Sequence, residues 1–374
     1  MTPALSVPVP AAGACTTSII VPARNEADIL QQALEALVTQ VDGHGKPVPV
    51  DSYEIILLAN NCTDRTAETA RRFARRHPGV ALHVVEQEIP KDQACVGYAR
   101  WLLMEEAYWR LRAKPQAVIA STDADSIVAP DWLSAMRDEF ARGADAVGGR
   151  IMLAEKECRS LPAKARRSYL QDIGYHYYRT ALADRLDPEA HDPFPRHHQY
   201  FGASLSLTVE CYRRCGGLPH RETLEDMALH EALHLVDARI RHSPRVRVWT
   251  SARRQGRVGR GLSTQLQAWD DHTAPPLVER VCLIEQLLKW RRALRELWLL
   301  ARHQERLSDK KLGRLADELQ VDTREFTSEI HEAHAFGHLL CQLNLAGRWS
   351  ARYPERTADQ PVDEALAELR LRLA

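Results

Sequence analysis

The stretch Ala117-Val118-Ile119-Ala120-Ser121-Thr122-Asp123-Ala124-Asp125 is a short apolar run that breaks into two carboxylates. Such a run, bounded by polar residues, suits a buried strand and is too short for a helix. The two aspartates stand two positions apart just past the strand, so they project toward the same side. Paired hard oxygens of this kind suit a divalent cation that keeps its other positions for water and phosphate. A bare D-x-D serves equally as a solvated turn with a helix cap. It is no EF-hand loop, because the third ligand, the glycine and the closing glutamate do not follow. Its flanks decide between the readings.

Upstream, the same grammar recurs. Thr17–Pro22 reads as a strand ended by proline, and a helix with apolar residues at 29, 30, 33, 34 and 37 begins at Glu26. Tyr53–Ala59 is a second strand, running into the polar turn Asn60-Asn61-Cys62-Thr63-Asp64 and a helix over Thr66–Arg76. Val80–Glu86 is a third strand and Ala94–Arg112 a helix. Downstream, a helix opens at Pro130-Asp131-Trp132-Leu133, and Ala146–Ile151 is a further strand. Strands alternating with helices predict an α/β fold with a mostly parallel sheet covered on both faces. Ligands of such sheets bind at the carboxyl ends of strands, where the turns 22–26, 60–64 and 122–126 should line one edge.

Beyond the sheet the character changes. Residues 155–198 are aromatic, basic and punctuated by proline, which predicts a helix and a mobile loop; sheet-like pattern returns at 199–209. Past residue 275 the periodicity is helical, and Val281, Ile284, Leu287, Leu288, Leu294, Leu297 and Trp298 form an apolar stripe. That stripe could pack on the main domain, contact a membrane surface peripherally, or join a homodimer through the C-terminal helices. The expected domains are a flexible leader over 1–15, a sheet domain over 16–270 and a helical extension over 271–374.

Composition excludes several classes. The 374 residues carry 50 Lys+Arg against 50 Asp+Glu, a balance that gives no reason to expect nucleic acid as a partner. Eight scattered cysteines without C-x-x-C read as reduced thiols, and Cys211/Cys215 lack a second pair for a metal. The proline-bearing start has no basic region and no apolar core of a signal peptide, and no apolar run is long enough for a transmembrane segment. A cytoplasmic protein is expected.

The order of motifs resembles the GT-A glycosyltransferases, most closely the family-2 type. Val21-Pro22-Ala23-Arg24-Asn25-Glu26 matches the V-P-x-x-N-E turn that ends that family's first strand. Ala59-Asn60-Asn61-Cys62-Thr63-Asp64-Arg65-Thr66 keeps the tail of its second turn and loses the leading acid. Lys91-Asp92-Gln93-Ala94 stands at its K-x-x-A segment, with Gly97-Tyr98-Ala99-Arg100 replacing the asparagine region. The D-x-D and the following P-x-W-L are present, then Gly202-Ala203-Ser204, Gly216-Gly217-Leu218 and the E-D pair Glu225-Asp226. Arg253-Arg254-Gln255-Gly256-Arg257 falls where a basic segment closes the family's catalytic region, without its tryptophan. The resemblance covers residues 16–270.

It implies transfer of a sugar from a nucleotide-diphosphate sugar, with UDP the favoured nucleotide, to an unknown acceptor hydroxyl. It implies a divalent cofactor, Mn2+ or Mg2+, on Asp125 and Asp123, with Asp123 also near the ribose. Pro22, Ala23, Asn25, Glu26, Asn60 and Lys91 would hold the nucleotide sugar, and Arg254, Gln255 and Arg257 would clamp its diphosphate. Asp226 would be the base of an inverting displacement, oriented by Glu225. His197, His198 or His242 could add a metal ligand. Each residue also has a plainer use: Asp226 as a first-turn acid on a helix, the arginines as a solvated loop.

Two other classes compete. One is a nucleotide-sugar-binding protein without transferase activity, suggested by asparagine at position 60. The other is a zinc metallopeptidase, because His230-Glu231-Ala232-Leu233-His234 matches H-E-x-x-H. Asp237, Glu222 or His242 would have to complete that site. Periodicity instead turns Leu229, Ala232, Leu233 and Val236 to the core and leaves 226, 230, 234 and 237 on the polar face of a helix that starts at the E-D pair.

Overall fold

The structure, a computed structural model, describes residues 5, 7–221, 223–252, 262–271, 275–353 and 359–374. In chain order the sheet-bearing part runs β1 (Thr17–Ala23), α1 (Leu30–Val38), β2 (Tyr53–Asn60), α2 (Thr66–Arg76), β3 (Ala81–Gln87), α3 (Val96–Leu111), β4 (Val118–Ser121), β5 (Ser126–Val128), α4 (Trp132–Ala141) and β6 (Ala146–Leu153). Two helices follow, α5 (Glu155–Ser160) and α6 (Ala163–Leu186), then β7 (Leu205–Thr208), α7 (Val209–Arg214), α8 (Glu225–Leu235) and β8 (Ile240–Thr250). The rest is α9 (Leu262–Asp271), β9 (Leu277–Val278), α10 (Val281–Arg302), α11 (Asp309–Leu319), α12 (Thr323–Glu332), α13 (Phe336–Leu343), α14 (Leu345–Arg352), β10 (Gln360–Pro361) and α15 (Val362–Leu373).

The chain divides into two compact units. One comprises residues 1–162, 199–233 and 238–268; the other comprises 163–198, 234–237 and 269–374. The first holds an eight-stranded sheet in the order β3-β2-β1-β4-β7-β6-β8-β5. Its β3-β2-β1-β4 half is parallel throughout, while β7 runs antiparallel to β4 and to β6. The strands β1, β2 and β4 are buried along their whole length, as continuous apolar runs between two helical layers require. Ile19, Val21, Leu34, Ile55, Leu57, Phe73, Ala120 and Trp132 join one core on one side of the sheet.

Several local expectations need correction. The first regular helix runs from Leu30 rather than Glu26; residues 27–29 form a turn in which the Ile29 and Leu30 N–H groups donate to the Glu26 carbonyl. The 199–209 segment is only half strand: a 3-10 turn at Gly202–Ser204 precedes the four residues of β7. Strand β8 escapes a pattern reading because Pro244 interrupts it, and a register shift opposite Gly149/Arg150 absorbs the proline.

In the second unit, α10 buries Val281, Leu283, Ile284, Trp290, Leu294 and Leu297. They meet Leu312, Leu315, Phe326, Leu339 and Trp349 of the neighbouring helices in one cluster, and Tyr175, Leu182, Val362 and Leu369 in another. The apolar stripe of α10 is thus consumed by its own unit. The 155–198 segment, expected as a helix and a mobile loop, holds the short helix α5 and the 24-residue helix α6, the latter in this unit. Among the described residues no helix is long and apolar enough to cross a membrane.

Candidate active site

At the carboxyl end of β1, the turn is fixed by side chains of the turn after β2. Asn25 accepts at its Oδ1 from the Thr63 backbone N–H (2.7 Å) and hydroxyl (3.3 Å). The Glu26 N–H donates to Thr66 Oγ1 at 2.7 Å, and the Ala27 N–H to Asp64 Oδ2 at 3.1 Å. Arg24 donates to the Ala94 carbonyl (3.0 Å), tying in the segment before α3. Asn61, left-handed at φ 49°, grips that segment too, donating to Ile89 O (2.8 Å) and accepting from its N–H (3.2 Å). Pro22 and Ala23 are buried in β1, Asn60 is buried at the end of β2, and Lys91 is exposed.

The third turn is organised by a residue the motif reading passed over. Arg100 sits on α3, 3% exposed, with its guanidinium beneath the end of β4. It donates to Asp123 Oδ1 (2.9 Å), Glu225 Oε1 (3.0 Å), the Gly202 carbonyl (3.0 Å) and the Ser121 hydroxyl. Burial alone would pull a proton off this group, but the Asp123 and Glu225 carboxylates outweigh that cost and hold its pKa raised. Position 202 must be glycine here: a Cβ would stand 2.4 Å from Arg100 Cζ. At Gly97 a Cβ would meet the Arg221 carbonyl at 2.4 Å, so α3 approaches the backbone leading into α8 without a side chain between them.

Helix α8 begins at the E-D pair. Leu224, just before it, holds φ 60°, a conformation a bulky side chain rarely adopts and one that clusters at functional sites. Glu225 is buried and committed to Arg100. Among the described residues Asp226 instead accepts from backbone alone, from the Gly202 N–H (3.2 Å) and the Met227 N–H (2.8 Å). Burial, reinforced by the neighbouring Glu225 charge, raises its pKa above the ordinary carboxylate value, against the pull of Arg100 and these two bonds. Gly202 therefore touches both partners: its carbonyl accepts from Arg100 and its N–H donates to Asp226.

Asp123, Glu225 and Asp226 are thus gathered around Arg100 and Gly202, and the 22–26 and 60–64 turns are clasped to each other. Asp125 lies one residue past the buried Ala124, with Oδ1 accepting from the Ser126 hydroxyl at 3.4 Å. Arg254, Gln255 and Arg257 lie outside the described residues. A signal for Arg100 was present, since it closes the segment standing at the family's asparagine region. Its partners come from positions 121, 123, 202 and 225, and only the fold brings them together.

The described residues hold no group of three or more His, Cys, Asp or Glu arranged around a common metal position. The donor set of Asp123 and Asp125 nevertheless fits Mg2+ or Mn2+, which take one or two carboxylates and leave most positions to phosphate and water. The thiol of Cys211, pushed up to about 12 by burial, is a poor thiolate ligand.

The residues of the H-E-x-x-H motif have other partners. His230 stacks on Tyr200 (ring centroids 3.8 Å apart), and Glu231, the would-be general base, pairs with Arg221 at 3.1 Å on the surface. The buried residues of α8 are Glu225, Ala228, Leu229 and Leu233, so the histidines lie off its core face.

The sheet order, with carboxylates at β4 and at the start of α8, defines a GT-A nucleotide-sugar transferase fold. Residues 18–201 match the family described as glycosyl transferase family 2. Glycosyltransferase AglE of Haloferax volcanii is 27% identical over 135 residues, covering 36% of this chain and 38% of that relative's length. Among solved structures, the mannosyltransferase PcManGT of Pyrobaculum calidifontis, in complex with GDP-Man and Mn2+, aligns with 94% of this chain and 79% of its own. Its TM-score is 0.46, at 17% identity. S. aureus TarS 1-349 aligns with 91% of this chain and 92% of its own, with a TM-score of 0.44 and 12% identity.

Proposed function

We propose that the chain transfers a sugar from a nucleotide-diphosphate donor, UDP-linked in the first instance, to an acceptor hydroxyl with inversion. Asp226 is the base. The observation that carries this reading is the contrast within the E-D pair: Glu225 is locked to Arg100, whereas Asp226 has no side-chain cation bonded to it among the described residues and has a raised pKa. A carboxylate moved toward neutrality is a better proton acceptor in the physiological range than an ordinary one.

In this mechanism the acceptor oxygen bonds to the anomeric carbon as the bond from that carbon to the diphosphate oxygen breaks. The acceptor's proton goes to Asp226, and the bonding electron pair leaves with the nucleoside diphosphate. Glu225, fixed through Arg100, orients the helix start and discourages Asp226 from ionising too readily. Asn25 and Glu26 shape the nucleoside pocket through the clasped turns. Asn60 can both donate and accept toward the base, so an amide in place of an acid keeps base recognition. Lys91 and the arginines at 254 and 257 supply charge to the diphosphate, and Gln255 a neutral hydrogen-bond donor. A divalent ion held by Asp125 and Asp123 would neutralise the leaving diphosphate.

Support comes from the family match over residues 18–201 and from the gathering of the three acids around one buried arginine. The relative named as a glycosyltransferase favours the same class. The test is a thermal-shift screen of UDP- and GDP-sugars with and without manganese. Stabilisation by one donor that depends on the metal supports the assignment; no response to any nucleotide sinks it. A binding protein without transferase activity would give the shift but release no nucleoside diphosphate.

A further inference from the structure

A second surface, in the helical unit, has a composition unlike its surroundings. Helices α6 and α15 pack side by side, and a groove of about 380 Å³ runs along their seam. Its apolar wall is Leu170 and Leu366. Gly174 lies beside Leu366 at the seam. Arg166, Arg167 and Arg370 line the same groove, and no Asp or Glu does. None of these three guanidiniums forms an ion pair among the described residues; Arg370 lies over the Tyr178 ring at 5.4 Å. Large apolar side chains stand out beside the arginines: Leu170 is 55% exposed and Leu371 79%.

We infer that the α6–α15 face docks on an anionic lipid surface. The charge argument is local, because the chain as a whole is neutral while this face presents three unpaired cations. Arginine stems can lie along the acyl boundary with their heads at the phosphates, which is how amphipathic side chains settle at an interface. Protruding leucines need no complementary pocket in a bilayer, whereas an acidic polypeptide would have to supply one for each. Anionic headgroups satisfy the guanidiniums, and the interface takes up Leu170 and Leu371.

The surface is independent of the transfer reading, so vesicle binding and nucleotide release are measured separately. The full chain is sedimented with vesicles of phosphatidylcholine alone or mixed with phosphatidylglycerol. Binding is expected only to the mixed vesicles and should weaken at high salt. Each of Arg166→Ala, Arg167→Ala and Arg370→Ala should lower the partition about five-fold. The double variant L170S/L371S should lower it about ten-fold or more at unchanged charge. All these positions are exposed, and an unaltered melting temperature confirms that each variant folds. Absence of the chain from mixed vesicles overturns the proposal, as does equal binding by wild type and variants. Two further outcomes would overturn it by naming another occupant. One is capture by polyglutamate while vesicles fail to hold the chain. The other is a concentration-dependent dimer abolished by the same substitutions.

Discussion

Helix α3 carries two buried arginines ten positions apart, and they do opposite things. Arg110 points to the amino end of the sheet, where it grips Glu54 with two bonds, Nε to Oε1 at 2.9 Å and Nη2 to Oε2 at 2.6 Å. Ser18 donates to the same carboxylate and His83 lies 3.3 Å from it. Burial opposes ionisation of Glu54, but these bonds win and bring its pKa down to about 2. At the other end Arg100 holds Asp123 and Glu225, yet among the described residues the adjoining Asp226 receives only backbone donors, and its pKa rises. Where every lone pair is answered, the cluster is structural. Where a half-buried carboxylate has no cation bonded to it among the described residues, charge can still move.

The largest effect should follow Asp226→Asn. Transfer should fall about 10²- to 10⁴-fold, the range for loss of a general base. The melting temperature should hold or rise slightly, because the substitution removes a charge that is costly to bury. Next comes Asp125→Ala, which should lower nucleotide release about 100-fold, the scale for losing one electrostatic stabiliser. It should also abolish the manganese-dependent part of the donor's thermal shift.

Arg100→Lys should cost about ten-fold in kcat, because an ammonium cannot span Asp123, Glu225 and Gly202 at once. The companion Glu225→Gln removes the like charge beside Asp226. Turnover requires the ionised Asp226, so it fades as pH falls through that group's raised pKa; E225Q should shift the acid limb to lower pH. A limb that does not move would separate Asp226 from the rate.

At the opposite end of α3, Glu54→Gln should destabilise the fold by about 3–5 kcal/mol, since it strands the buried Arg110. Below the melting transition it should leave kcat unchanged. The Glu54 contribution has a defined pH window: its folded pKa lies below the unfolded value, so the stability is present above about pH 4.5 and is lost as pH falls toward 2. The smallest effect belongs to H230A/H234A, which should keep transfer within about two-fold and change no zinc content.

The division of labour on α3 also explains what the sequence could reveal. The parallel half of the sheet was legible because β1, β2 and β4 are continuous apolar runs, each ending in a polar turn. The D-x-D and E-D pairs were legible because acids beside strand and helix ends are local patterns. Arg100 was not, because an arginine inside a helix looks solvated until residues 121, 123, 202 and 225 converge on it. Strand β8 was hidden by Pro244 and the arginines at 241, 245 and 247 alternating with buried valines.

The most direct measurement is nucleoside diphosphate release from UDP- and GDP-sugars as a function of pH, with manganese, in wild type and Asp226→Asn. The account predicts turnover of one donor with an acid limb above the ordinary carboxylate range, and its disappearance in D226N while the donor's thermal shift persists. Full turnover by D226N at any pH would contradict it.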